Sequence, residues 1–305
     1  MSESAFAQLV TRMAPGSALL NARMLTGGYS AQITLLHVAH PDGSTQKLIV
    51  RQHGAVDLSA NPNIAADEYH LLATLHMAGI AVPHPLYVDA NGDLFETPVI
   101  VVEYVEGETI FHPTDARATV EGLAAQLAHI HRLDAAALGL DFLPQQAAIY
   151  AEKFTQRPAP TDDSLDEGRI RDTLEPLWPL PPRNRPAILH RDFWPGNVLW
   201  QDDRLAAVID WEDAGIGDPL EDLANTRLEI LWAYGEDAMH HFTCSYLPQN
   251  PIDTSDLPYW DLLVALRPAH KLADWAADAP AEARMRERHH AFVQQAYAAL
   301  GESAP

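Results

Sequence analysis

The chain has 305 residues, 47 % of them hydrophobic, and a formal net charge of −22 at pH 7. This length predicts roughly two domains, and the composition excludes wholesale disorder. Cys244 is the single cysteine, which excludes an internal disulfide framework, and no apolar run approaches the ~20 residues of a membrane helix. The opening segment MSESAFAQLVTRMAPG has no basic stretch ahead of an apolar core and does not read as a secretory signal. A soluble, cytoplasmic protein is expected. The strongly acidic balance argues against nucleic acid and anionic membranes as partners, because both need basic surface.

In chain order, residues 4–14 predict a short helix, followed by a small-residue loop at Leu25-Thr-Gly-Gly-Tyr-Ser30. Gln32 to Ala39 and Gln46 to Gln52 have β character, and the Asp42-Gly43 pair between them is a strong hairpin signal. Ile64 to Ala78 predicts a helix with Leu71, Leu72, Leu75 and Met77 as its apolar set. Tyr87-Val88 and Thr97 to Tyr104 read as two further strands around a turn at Asn91-Gly92. After Glu106-Gly107 the pattern becomes helical, first over Asp115 to Leu133. A polar, Pro-rich stretch from Arg157 to Pro186 interrupts it. Two short β runs, Val198 to Trp200 and Ala206 to Ile209, precede a helical remainder from about Pro219. The domain boundary expected from this change of character divides residues 1–105 from 106–305.

Chemistry concentrates in His190-Arg-Asp-Phe-Trp-Pro-Gly-Asn197 and, after two short strands, Ile209-Asp-Trp-Glu212. Transfer of a γ-phosphoryl group needs a carboxylate to orient a hydroxyl and take its proton. It also needs hard oxygen ligands for Mg²⁺. Asp192 suits the first task, and Asn197 and Asp210 suit the second. His190 is expected to brace the loop. Upstream, strand alternation places Lys47, Ile49 and Arg51 on one face without choosing a phosphate-gripping residue among them.

These paired motifs resemble the aminoglycoside phosphotransferase and choline kinase family, relatives of the protein kinases. Gly217-Asp-Pro-Leu-Glu-Asp-Leu223 looks like the family's segment after the metal aspartate. The resemblance covers most of the chain and implies an α+β, bilobal, protein-kinase-like fold. A small antiparallel-sheet lobe of five strands and one helix would bind nucleotide, and a larger helical lobe would carry catalysis and the acceptor. It implies that Gly27, Gly28 and Ser30 form the nucleotide loop, although no P-loop motif is present. It favours Arg51 as the phosphate-gripping residue, with Glu68 as its partner. The backbone of Glu103 and Val105 would hold the base of ATP or GTP. The implied activity is Mg²⁺-dependent O-phosphotransfer to a small molecule.

Candidates for the acceptor pocket are Asp213, Glu221, Glu229, Trp232, Tyr234, Trp260, Asp261, Arg267, Asp274 and Trp275. The acids and rings favour a cationic acceptor, an aminoglycoside or another amino alcohol, whereas Arg267 suits a phosphorylated or carboxylated one. The alternatives are a metabolic kinase of a sugar or amino alcohol and a catalytically silent nucleotide-binding module. His129 and His131 lie two apart on a helix and read as packing residues rather than a metal pair.

Overall fold

The computed structural model describes residues 3–25, 31–154 and 157–301. Gly27, Gly28 and Ser30 lie outside the described residues. The fold is α+β and bilobal, with a small antiparallel-sheet lobe and a larger helical one. Residues 1–108 with 199–212 form one compact unit, and residues 109–198 with 213–305 form the other.

The first unit is built on five antiparallel strands in the order β1-β2-β3-β5-β4. These are β1 (Ala18–Met24), β2 (Ala31–Ala39), β3 (Thr45–His53), β4 (Pro85–Asp89) and β5 (Val99–Glu103). The β2–β3 hairpin forms where Asp42-Gly43 predicts it. Asp42 Oδ1 accepts from the Ser44 amide at 2.9 Å, and Gly43 takes the left-handed φ of +85° that the turn requires. Alternation in β3 sends Leu48 and Val50 to one face, where Leu36, Val38, Val99 and Val101 meet Phe6, Leu9 and Val10 of helix α1 (Glu3–Met13). Arg51 therefore projects from the opposite face, paired in register with Ile100. Helix α3 (Ile64–Met77) buries Leu71, Leu72 and Leu75 together with Glu68. Between the two lies a short helix α2 (Ala55–Ala60).

Residues 199–212 join this unit through β7 (Val198–Gln201) and β8 (Arg204–Val208). Asp202 and Asp203, both with positive φ, turn the hairpin. Trp200 and Glu108 exchange two backbone hydrogen bonds, and the Val208 amide donates to the Ala81 carbonyl at 2.8 Å. These bonds fix the chain that runs into Asp210.

The second unit is mainly helical. It contains α4 (Ala116–His131), α5 (Gln146–Lys153), α6 (Glu167–Leu174), α7 (Leu220–Tyr234), α8 (Glu236–Tyr246), α9 (Leu257–Ala265), α10 (Leu272–Trp275) and α11 (Ala279–Ala299). Asp115 caps α4 by accepting from the Arg117 and Ala118 amides. Helix α7 is buried all round from Leu220 to Leu228, polar residues included, which makes it the axis of the unit. Two three-residue strands, β6 (Ala187–Leu189) and β9 (Gly215–Gly217), pair antiparallel, and β6 leads straight into His190.

Candidate active site

In the first unit a guanidinium gathers three carboxylates. Arg51 Nε lies 3.5 Å from Glu68 Oε2, and Arg51 Nη2 lies 2.7 Å from Asp210 Oδ1. Nη2 also contacts Glu212. His53, two residues along β3, brings Nε2 to 2.9 Å from the same Glu68 oxygen. Burial would lower the basicity of Arg51, but the fields of Glu68, Asp210 and Glu212 outweigh it and raise its pKa. For Glu68, burial favours the neutral form, yet the Arg51 charge and the close His53 side chain hold its carboxyl below the ordinary value. Asp210 has a φ of +67°, a left-handed conformation that a non-glycine residue adopts at a cost of roughly 1–3 kcal/mol. Among the described residues, His53, Asp57 and Glu212 each offer a potential metal-ligand atom within 4.8 Å of the others.

At the end of β5 the Glu103 amide donates to the His84 carbonyl at 2.9 Å, and its carboxylate accepts from the His84 amide at 3.0 Å. Glu103 thus has no N–H to spare for a ligand. The Val105 backbone has no hydrogen-bond partner among the described residues.

In the second unit, α7 clamps the loop that follows β6. Asp222, fully buried, accepts from the His190 and Arg191 amides, each at 2.7 Å, and sits 3.1 Å from His131 Nε2. One helical turn on, Thr226 Oγ1 donates to the Phe193 carbonyl at 2.9 Å. Burial alone would raise the Asp222 pKa. The hydrogen bond and charge of His131, with the backbone donors, hold it below the ordinary value instead. The clamp lets Arg191 keep a φ of +66° and turn Asp192 outward. Asn197 Nδ2 donates to the Asp192 carbonyl and to Oδ2, both at 2.9 Å. Arg267 Nη2 donates to the other oxygen, Oδ1, at 2.9 Å, while Nη1 binds the Arg191 carbonyl and Asn225. His190 is fully buried and offers Nδ1 to the Asp192 amide at 3.3 Å, so it braces the loop from inside.

Several acceptor-pocket candidates are engaged elsewhere. Glu221 accepts from Arg191, Tyr150 and Gln146. Asp261 receives two donors from Arg227, and Trp232 donates to the Met285 carbonyl. Trp260 is buried against Tyr150 and Trp178, and the Tyr234 hydroxyl donates to the Ile110 carbonyl. Asp222, Thr226 and Asn225 carry no role in the sequence reading. Their only signal is an α7 segment with too many polar residues for a helix that turns out to be buried on every side.

The profile of the phosphotransferase enzyme family matches residues 22–241. The chain is 27 % identical over 235 residues to acyl-CoA dehydrogenase family member 11 of Rattus norvegicus, which covers 65 % of this chain and 29 % of that protein. It therefore spans under a third of that curated relative's length. It is 28 % identical over 189 residues to viomycin phosphotransferase of Streptomyces vinaceus, covering 57 % of this chain and 63 % of that one. Among solved structures, the GDP complex of aminoglycoside 2′-phosphotransferase-IIIa superposes with a TM-score of 0.66 at 17 % identity, over 97 % of this chain and 99 % of that one. At that identity the likeness is one of fold. Among the described residues no helix is long and apolar enough to cross a membrane. With a profile match across most of its length and the bilobal fold described above, the chain belongs to the phosphotransferase enzyme family.

Proposed function

We propose that this chain transfers the γ-phosphoryl group of ATP or GTP to a hydroxyl of a small molecule. The observation that carries the reading is the loop clamped by Asp222, which fixes Asp192 and Asn197 against each other at 2.9 Å. Asp192 orients the acceptor hydroxyl and takes its proton. The hydroxyl oxygen forms the new bond to phosphorus as the bond from that phosphorus to the β–γ bridging oxygen breaks, and the nucleoside diphosphate leaves. Arg51, held by Glu68, meets the nucleotide phosphates through a fork of N–H donors. Residues 1–105 serve the nucleotide, with Gly27, Gly28 and Ser30 as its phosphate loop and the Glu103 carbonyl and Val105 amide at its base. Residues 106–305 serve catalysis and the acceptor. GDP bound to the structurally similar aminoglycoside phosphotransferase supports nucleotide use here.

The donor set suits Mg²⁺. Asn197 commits its Nδ2 to Asp192, which leaves Oδ1 as a hard oxygen ligand. Asp210 supplies a carboxylate at the end of a fixed hairpin. Asn197 and Asp210 would hold the ion, and a bound Mg²⁺ neutralises charge on the phosphates.

The test is Mg²⁺-dependent release of ADP or GDP by the purified chain, challenged with a panel of alcohols, with the phosphate monoester identified by mass. Acceptor-stimulated release is expected. A chain that binds neither nucleotide with Mg²⁺ present would overturn the reading.

A further inference from the structure

An amine-bearing acceptor needs free carboxylates, and the buried ones of the second unit are spent. Glu221 and Asp261 are paired with arginines. Glu229 is pushed up to about 7, chiefly by burial, so it is a poor counter-ion at neutral pH. The rings expected to cradle an alkylammonium are packed on one another, Trp178 against Trp260 at 5.3 Å and Trp232 against Trp275 at 6.4 Å.

Cations gather instead. Arg267 touches Asp192 directly. Arg191, the residue before Asp192, is tied to Glu221, which also accepts from the Tyr150 hydroxyl at 2.7 Å. Over the Tyr150 ring, 5.6 Å from its centroid, lies the ammonium of Lys153 on α5. Lys153 makes no ion pair with a carboxylate among the described residues. Desolvation first, then the positive field of Arg267, lower its pKa to about 8; the negative charge of Glu221 opposes the fall and Arg191 adds to it, so the ammonium stays mostly charged at neutral pH. Of these three cations the two guanidiniums already hold a carboxylate, and the ammonium alone lacks a paired one, which an incoming anion would supply.

We propose, on the basis of the phosphotransferase reading above, that the acceptor carries a carboxylate or phosphate besides its hydroxyl, with Arg267 and Lys153 as its counter-ions. The hydroxyl meets Asp192, and the anion meets the guanidinium fork and the ammonium. Arg267 then bridges the base and the substrate, so that only an acceptor with both groups fills the site.

The experiment uses the full chain with Mg²⁺ and ATP or GTP. The acceptors are matched three- to five-carbon alcohols ending in a methyl, an ammonium, a carboxylate or a phosphate. The anionic alcohols are expected to exceed the neutral and ammonium ones by about tenfold or more in kcat/KM, and the carboxylate and phosphate arms identify which anion is read. Lys153→Gln is expected to raise KM for the anionic acceptor about tenfold, with kcat nearly unchanged and no effect on KM for the neutral alcohol. Equal rates across the panel, a preference for the ammonium alcohol, or no stimulation by any anionic alcohol would overturn the proposal. Mg²⁺-nucleotide binding on the same sample separates the two failures. If the nucleotide binds, the phosphotransferase reading stands without the anion. If it does not, both fall.

Discussion

Arg267 and Asp192 form an ion pair, Nη2 to Oδ1 at 2.9 Å, and Asn197 holds the other carboxylate oxygen at the same distance. The carboxylate is thus aimed by two side chains before any acceptor arrives, and orientation of this kind lowers the cost of reaching the transition state.

Asp192→Asn keeps the shape of this arrangement and removes its charge and basicity. The expected result is a fall in kcat of ~10²–10⁴-fold, the usual worth of a general base, with Mg²⁺-nucleotide affinity little changed. A carboxylate that only caps the loop would behave otherwise, because Asn caps about as well as Asp. Measuring kcat, nucleotide Kd and Tm on one preparation decides, and unchanged turnover would end the proposed role.

Arg51→Met tests the buried charge cluster of the first unit. The substitution leaves Glu68 buried without its cation and Asp210 and Glu212 without theirs. Breaking a buried pair by removing one partner costs roughly 3–5 kcal/mol. Because the folded pKa of Glu68 lies below its ordinary 4.5, the pairing contributes stability above that value and loses it as pH falls through the lower folded one. Urea unfolding should therefore show a large deficit for the variant at pH 7 that shrinks toward pH 3. A deficit of the same size at both pH values would mean that packing, not charge, is what Arg51 supplies.

How much of this was legible beforehand depended on distance along the chain. The loop from His190 to Asn197 is contiguous, so Asp192 and Asn197 could be read together. Arg51 and Glu68 sit 17 residues apart, on β3 and α3 with α2 between them, and the structure brings them within 3.5 Å. Alternation alone left Lys47 open. Lys47 in fact pairs with Glu106 near the surface. The strand at Ala18–Met24 escaped the reading because it is mostly exposed and shows no clean alternation. The strands at Ala187–Leu189 and Gly215–Gly217 are three residues each, too short for any period. The helix at Glu167–Leu174 falls inside the Pro-rich stretch, but the prolines all lie outside it, before its start or beyond its end. Asp222 was invisible as a clamp because a helical carboxylate about 30 residues from its targets looks like any solvated charge.

Asp222→Ala should damage stability and turnover together. It removes the acceptor for the His190 and Arg191 amides and leaves both buried donors, and His131, without their partner. Each unsatisfied buried group costs about 1–3 kcal/mol, so a drop of several kcal/mol in unfolding free energy is expected. The loop that aims Asp192 loses its anchor, so kcat should fall more than KM changes in whatever fraction remains folded. A variant with wild-type stability would show that the hydrogen bonds from α7 do not hold the loop.

Glu229 yields a pH dependence with a definite sign. It lies on α7, half-buried, within the fields of Arg267 and Asp192. Burial raises its carboxyl to about 7. Arg267 works against this rise, and the negative charge of Asp192 adds to it. The folded pKa therefore exceeds the ordinary 4.5, and in the window between the two values the unfolded chain gives up a proton that the folded chain keeps. Stability linked to this group is full below pH 4.5 and is lost as pH rises through about 7. At ~1.4 kcal/mol per pKa unit, the loss reaches up to about 3 kcal/mol. Glu229→Gln removes the titration, so the variant should gain on the wild type steadily from pH 5 to pH 8. Ionised Glu229 also competes with Asp192 for Arg267, so the same substitution should flatten the fall in kcat/KM across neutral pH. Unfolding free energies of the two proteins at unit pH steps provide the check. Parallel curves from pH 5 to 8 would show that Glu229 ionises as an ordinary carboxylate in the folded chain.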